Sequence, residues 1–192
     1  MTLGTGSTLT VPNFNKGNGG TALVFNLNGG TLKANAASTT FMSSNAATTA
    51  KVQAGGAVID DGSLAITIGQ ALTHDSTLGA SADGGLTKKG SGTLTLSGTN
   101  TYTGATLITE GTLKLDASGS IGSTSYVSLG TVGTFDVSAK SQGYTVESLK
   151  GSGNVTGELT VSTELAIGNS AGTTHFSLSL IHISEPTRPR LI

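Results

Sequence analysis

The 192-residue chain has no cysteine and no tryptophan. Without cysteine there is no disulfide, no thiolate metal site and no thiol nucleophile. Charged residues make up 11%, less than half the usual share of about 25%. Arginine occurs only at Arg188 and Arg190. With a net charge of -1 there is no basic surface to neutralise phosphates, so nucleic acid is excluded as a partner. Long apolar runs are missing as well. The longest in the body is Ala22 to Phe25, far short of the ~20 residues that span a bilayer, so no direct membrane insertion by this segment is expected. No basic and then apolar leader follows Met1, and no signal peptide is read there. Aromatics are only 4%. The 35% hydrophobic share rises to about half once the 29 glycines are added, which is near the globular norm. A disordered chain pairs low hydrophobicity with high net charge, and this one does not.

The far end differs from the rest. Glycine stops at Gly172, and two of the three prolines, Pro186 and Pro189, crowd beside the two arginines. The string Leu180 to Arg190 resembles the translated read-through of a sequencing adapter. Residues 178-192 are therefore expected to be a disordered or artefactual tail and are set apart from the fold, as a fusion scar would be. Residues 1-177 form the body.

In the body one unit recurs: a glycine, then small polar residues alternating with aliphatic ones. Copies include Gly6 to Val11, Gly30 to Ala34, Gly62 to Ile68, Gly92 to Leu96, Gly111 to Leu115, Gly133 to Val137 and Gly157 to Val161. Alternation with period two puts Leu, Ile, Val and Phe on one face and Thr, Lys and Ser on the other. Each run has strand length, and Gly, Asn, Asp and Ser clusters bound each one with turn chemistry. No window keeps a clean helical apolar stripe over three turns. The stretch Ala34 to Ala54 is ambiguous; a longer loop, an irregular rung or a short helix would each fit it.

From Gly92 to Gly111, Gly133 and Gly157 the steps are roughly 19 to 24 residues, a period that suggests a solenoid. The expected fold is all-β, a parallel β-helix of roughly eight or nine rungs. With about 4.8 Å between strands it would be a rod about 40 Å long. A β-sandwich is the alternative, but its core usually carries larger aromatic residues than this chain supplies.

Residues 83-115 contain Gly85, Leu86, Lys88, Gly90, Gly92, Thr93, Leu94, Leu96, Gly98, Asn100, Tyr102, Gly104 and Gly111 to Leu113. This pattern resembles the autotransporter-associated β-strand repeat, also called the passenger-associated transport repeat. The flanks at Val52 to Ala57, Leu72 to Asp75, Gly151 to Gly157 and Leu165 to Gly172 resemble segments that accompany it. The resemblance implies a right-handed β-helical passenger segment of a large protein exported by a Gram-negative bacterium. Its place would be extracellular or at the cell surface, associated with the outer membrane. Its role would be structural, supporting transport and acting as a stalk or scaffold, and not enzymatic. The chain would then be a fragment. Its partners would be flanking regions of the same polypeptide: further repeats, and a translocator barrel or sorting segment. Neither end shows a polar cap of the kind a solenoid needs, so self-association through open edges is expected. The alternatives are a carbohydrate-active β-helix enzyme and a glycan-binding adhesin.

Candidate chemistry is sparse, and no catalytic, cofactor-binding or metal-binding residue is assigned. No cofactor is expected. His74-Asp75-Ser76 has the residue types of a triad, but neighbours on a strand point to opposite faces and cannot converge. Asp60-Asp61-Gly62 reads as a turn, since a calcium loop needs oxygen ligands at several spaced positions. Lys88-Lys89 reads as a solvated corner. Asp136 and Glu158 occupy comparable outward places on successive strands and could lie one rung apart, the only carboxylate pair worth keeping as acid and base. Tyr102, Tyr126 and Tyr144 are too few and too spread for a glycan-binding strip. Asn154 opens a glycosylation sequon, which is uninformative in a bacterium. Gly90, Gly92, Gly98 and Gly104 are expected where corners need positive φ or close backbone approach. Asn100 is expected to bond neighbouring backbone within a turn.

Overall fold

The computed structural model describes residues 1-15 and 22-167. The tail 178-192 lies outside the described residues, as does the end of the flank beginning at Leu165. The described residues wind through eight rungs. The first holds β1 (Thr2–Gly4) and β2 (Thr8–Val11). The second holds β3 (Leu23–Asn28), β4 (Thr31–Ala34) and β5 (Ser38–Met42). The third holds β6 (Thr48–Val52), β7 (Ala57–Asp60) and β8 (Ala65–Ile68). The fourth holds β9 (Leu72–His74), β10 (Leu86–Lys89) and β11 (Thr93–Leu96). In the fifth and sixth the corner straightens, and single strands β12 (Thr106–Leu115) and β13 (Val127–Asp136) run across two faces. The seventh holds β14 (Tyr144–Gly151) and β15 (Asn154–Thr156), and the eighth holds β16 (Leu159–Ile167).

Each strand pairs with its counterpart one turn away, and every pairing of named strands is parallel. Parallel neighbours need a crossover between them, and here the crossover is the rest of the rung. The fold is a parallel β-solenoid, and the sandwich alternative falls, because hairpin-linked antiparallel pairs are what builds one. One face stacks β1, β3, β6 and β9. A second stacks β2, β4, β7, β10, β12, β13, β14 and β16, which fixes the rung count among the described residues at eight. The third runs from β5 through β8 and β11 to the second halves of β12 and β13, and on to β15.

Alternation turns into ladders. On the third face Ile66, Leu94, Leu113, Phe135 and Val155 stand in register, one above the other. On the first, Leu3, Leu27 and Val52 form one inward ladder and Phe25, Ala50 and Leu72 another. All but Val155 of these are buried, so each aliphatic side chain is removed from water by its own equivalents above and below. A fully buried Leu or Ile contributes about 1.5–3 kcal/mol in this way. Thr, Lys and Asp alternate outward; Lys114 is in register with Asp136 and Lys33 with Asp60.

One expectation is narrowed and another corrected. Of the three readings for Ala34 to Ala54, the irregular rung holds, with a register shift between Ser38 and Met42, and the loop and the helix fall. The stretch supplies β5 and β6, and Phe41, Met42, Ala50 and Val52 are all buried. The alternation there is carried by Ala and Thr, whose hydropathy contrast is weak. The period is also less regular than expected. Ala57 pairs with Leu86, a step of 29 residues, whereas Leu149 pairs with Leu165, a step of 16. The long step contains the loop after β9, where a short 3-10 turn (Ser76–Leu78) stands out from the rod. Among the described residues there is no α-helix, and no helix long and apolar enough to cross a membrane.

Candidate functional site

The segment from β10 to the end of β12 makes more than one circuit of the solenoid: Thr106 stacks on Leu86 one turn later, and the rest of β12 stacks on β11. Its corners are glycine-built. Gly90 has φ +88°, a region that side-chain-bearing residues avoid. Gly92 has an ordinary φ, but a Cβ placed there would fall inside the Leu64 carbonyl of the rung below.

Between β11 and β12 the corner is held by Asn100, which is buried. Its Oδ1 accepts the Leu72 N–H at 2.9 Å, and its Nδ2 donates to Gly98 O at 3.0 Å and to Ser120 O at 2.9 Å. One side chain therefore joins three successive rungs, and the expected turn role holds. No asparagine ladder is needed. Beside it Tyr102 is also buried. Its hydroxyl lies 2.8 Å from Thr106 Oγ1, which lies 3.0 Å from Thr124 Oγ1, which donates to Gly104 O at 2.7 Å. Burial pushes the Tyr102 phenol well above its ordinary pKa.

His74, Asp75 and Ser76 do not converge. Asp75 Oδ2 accepts from Gln53 Nε2 at 2.7 Å; its Oδ1 lies 3.2 Å from both Lys51 Nζ and the Thr77 N–H. The Gln53 bond foremost, with help from Thr77 and Lys51, holds the Asp75 carboxyl well below the ordinary range. His74 turns the other way, toward Asp83, with Nδ1 to Oδ2 at 2.8 Å. Thr103 Oγ1 is 3.3 Å from the same Nδ1. A nucleophile in a triad meets the nitrogen opposite the acid, and here that nitrogen, Nε2, faces Gly79 O at 3.3 Å. The group is a clasp for the loop. Asp83 is its hub: it accepts the backbone N–H groups of Gly85, Thr103 and Gly104 at 2.9, 2.9 and 3.0 Å. Burial pushes Asp83 up, but these bonds and His74 outweigh it and leave the carboxyl below its ordinary pKa.

The Asp60–Gly62 turn is confirmed: Asp60 Oδ1 accepts the Gly62 N–H at 2.8 Å, and Oδ2 pairs with Lys33 Nζ, also at 2.8 Å. The reading of Lys88 as a solvated corner is overturned. Lys89 is exposed, but Lys88 points into the rod and has no solvent-accessible side-chain surface. Its Nζ lies 2.6 Å from Asp61 Oδ2, and Asp61 is equally buried. The alternation at Leu86-Thr87-Lys88 assigns Lys88 an inward place; its charge argued for the outside, and the register won.

The carboxylate pair does not form. Asp136 is in register with Thr156, not Glu158. Its carboxylate faces Lys114 at 3.7 Å and accepts the Ser138 N–H at 2.9 Å. Glu158 is exposed, beside Gly143 at the corner leading into β16. Nor is there a tyrosine strip. Tyr102 is buried, Tyr126 lies under Lys150 Nζ at 4.7 Å, and the Tyr144 hydroxyl accepts the Ile121 N–H at 2.6 Å. Among the described residues no three of His, Asp and Glu gather as a metal site would require.

Residues 86-115 match the model of the passenger-associated-transport-repeat. No curated protein and no solved structure matches the chain. The matched stretch thus begins at the inward Leu86 of β10 and ends at the inward Leu115 of β12. It holds one turn of the rod, residues 86-105, with its corner glycines, Asn100 and Tyr102, and two faces of the next turn. The family is structural and not catalytic. Two of the groups that hold this turn lie outside the matched residues: Asp61, which meets Lys88, and Asp83, which meets Gly104. Sequence reading did not single out Asp83, and only the ladder of N–H groups around it marks it.

Proposed function

We propose that the chain is a passenger segment of an exported bacterial surface protein, a structural rod that supports its own transport and then stands outside the cell as a stalk. The observation that carries this is that the matched repeat holds one full circuit of the rod together with the two faces that stack on it, over a largely apolar interior. Such a circuit gains its stability by stacking on the preceding one, so it can fold rung by rung as chain emerges. Low charge and the absence of cysteine suit a chain that is moved unfolded. In this reading its partners are flanking segments of its own polypeptide, stacked on the end rungs.

The test is surface display. The chain is placed behind an export signal and ahead of an autotransporter barrel, and surface exposure is scored by protease shaving of intact cells. Deletion of residues 86-115 is expected to lower display several-fold. Equal display with and without the repeat would overturn the proposal. Incubation of the purified chain with plant and marine polysaccharides checks the rival enzymatic reading, and release of reducing ends would establish it.

A further inference from the structure

We propose that Lys88 and Asp61 condense into an intramolecular amide, a covalent staple between the third and fourth rungs.

Lys88 occupies an interior ladder whose other members are Leu9, Leu32, Ile59, Ile108 and Leu129. Ile59 lies below it and Ile108 above it, and both are fully buried. A charged amine in such a place is strongly disfavoured unless paired. Its partner is Asp61, at 2.6 Å, and neither side chain has any solvent-accessible surface. The other Lys–carboxylate pairs among the described residues are different. Lys33–Asp60, Lys51–Asp75, Lys114–Asp136 and Lys150–Glu164 all keep a water-exposed lysine.

The surroundings are arranged for acyl transfer. Asp61 Oδ1 accepts the Gly92 N–H at 2.9 Å, which polarises the carbonyl. Asp61 Oδ2 meets Lys88 Nζ and has no other hydrogen-bond partner among the described residues, so it is the oxygen free to leave. Lys88 Nζ also donates to the Gly90 carbonyl, which an amide N–H could keep as its acceptor. Dry surroundings favour the neutral acid over the carboxylate. Burial pushes the Asp61 carboxyl up, in the direction that supplies the neutral acid.

The step balances without any further reagent. A proton passes from the Lys88 ammonium to Asp61 Oδ2. The freed Nζ lone pair attacks Cγ, and the N–C bond forms. A proton then moves from nitrogen to the departing hydroxyl, the C–O bond breaks, and one water leaves. Ammonium and carboxylate become amide and water, with no change in oxidation state. Held reactants can have effective molarities of about 10⁵–10⁸ M, and the product leaves no buried charge. A chain without cysteine would gain a cross-link that needs no oxidant.

The experiment is intact-mass measurement of the folded wild-type chain. The expected mass is the sequence mass less one water. Trypsin should stop at Lys88, giving a ring-bearing peptide of residues 52-89. A second cut at Leu72 or Leu78 should open the ring, add a water and leave two chains still joined. The Lys88→Met variant fills the interior place without the amine, and circular dichroism checks its fold. It should show the full sequence mass. A wild-type chain of full mass, cleaved normally after Lys88, would overturn the proposal. So would a water loss that persists in Lys88→Met, since Asp61-Gly62 can also lose water by closing a succinimide on its own backbone.

Discussion

His74 Nδ1 lies 2.8 Å from Asp83 Oδ2 while its Nε2 lies 3.3 Å from the Gly79 carbonyl. Both ring nitrogens therefore face acceptors, an arrangement suited to the imidazolium, which has two donors. The Asp83 bond raises the His74 pKa above its ordinary value; partial burial opposes this, and Gly79 and the Asp75 charge add to it. A group whose folded pKa is raised contributes its stability fully below its unfolded pKa of about 6.5 and loses it as pH rises through the folded value. The loop from Asp75 to Gly85 should thus open more readily as pH rises above about 6.5. Amide exchange of that loop, corrected for intrinsic rates, should show lost protection as pH rises. In His74→Gln the step should vanish. An unchanged pH profile in the variant would sink the idea.

The acid limb has the opposite sign. Asp75 and Asp83 are both held below their ordinary pKa, Asp75 chiefly by Gln53, and Asp83 by backbone N–H groups and His74 against the pull of burial. Their contribution is present above the unfolded value of about 3.9 and is lost as pH falls toward the folded values. Thermal midpoints should fall as pH is lowered below about 4, and Asp83→Asn should flatten that fall. A wild-type midpoint that holds steady there would contradict the assignment.

Close approach at the corners gives a test by glycine substitution. A Cβ at Gly92 would meet the Leu64 carbonyl, whereas at Gly122 nothing lies within 4 Å. Gly92→Ala should destabilise by about 1–3 kcal/mol through overpacking. Gly122→Ala should stay within about 0.5 kcal/mol of wild type. Urea melts of the two variants decide it, and similar midpoints would show that the backbone yields at Gly92.

The strands and the rung count were legible in the sequence because period-two alternation needs only local contrast, and Gly92 to Leu96 or Gly111 to Leu115 supply it plainly. Ala34 to Ala54 was illegible for the same reason, since Ala and Thr barely differ as inward and outward residues. The long step from Ala57 to Leu86 also escaped, because glycine spacing does not count residues looped out of the rod. Lys88 shows a different limit. Its place in the alternation was readable, but the partner that makes that place tolerable, Asp61, sits on another rung. Asn100 could be read as a turn residue, but its bonds to Leu72 and Ser120 depend on a register that only the wound chain fixes.

Asn100 should therefore be costly to change. Asn100→Ala strands the Leu72 N–H in a buried corner, at about 1–3 kcal/mol, while the Gly98 and Ser120 carbonyls keep their backbone donors. Asn100→Asp keeps the acceptor but loses both donors and adds a charge facing two carbonyl oxygens, so it should be worse than alanine. Chemical denaturation gives the order, and an aspartate variant as stable as wild type would refute the three-rung role.

The hydroxyl chain beside it has a direction. Thr124 has one hydroxyl proton and, at 2.7 Å, gives it to Gly104 O, so it accepts from Thr106. Thr106 has then spent its own proton and accepts from Tyr102. Removing the first donor leaves Thr106 short of one acceptor contact only, so Tyr102→Phe should destabilise by about 0.5–1.5 kcal/mol. Thr106→Val matches the shape of the place between Leu86 and Val127, yet it orphans the Tyr102 proton in a site with no solvent. It should cost about 1–3 kcal/mol. With both changes no donor is left unmatched, so the double variant should be less destabilised than the sum of the singles. Strict additivity in the three urea midpoints would mean that the hydroxyls act separately, and a larger loss in Tyr102→Phe would mean that the chain runs the other way.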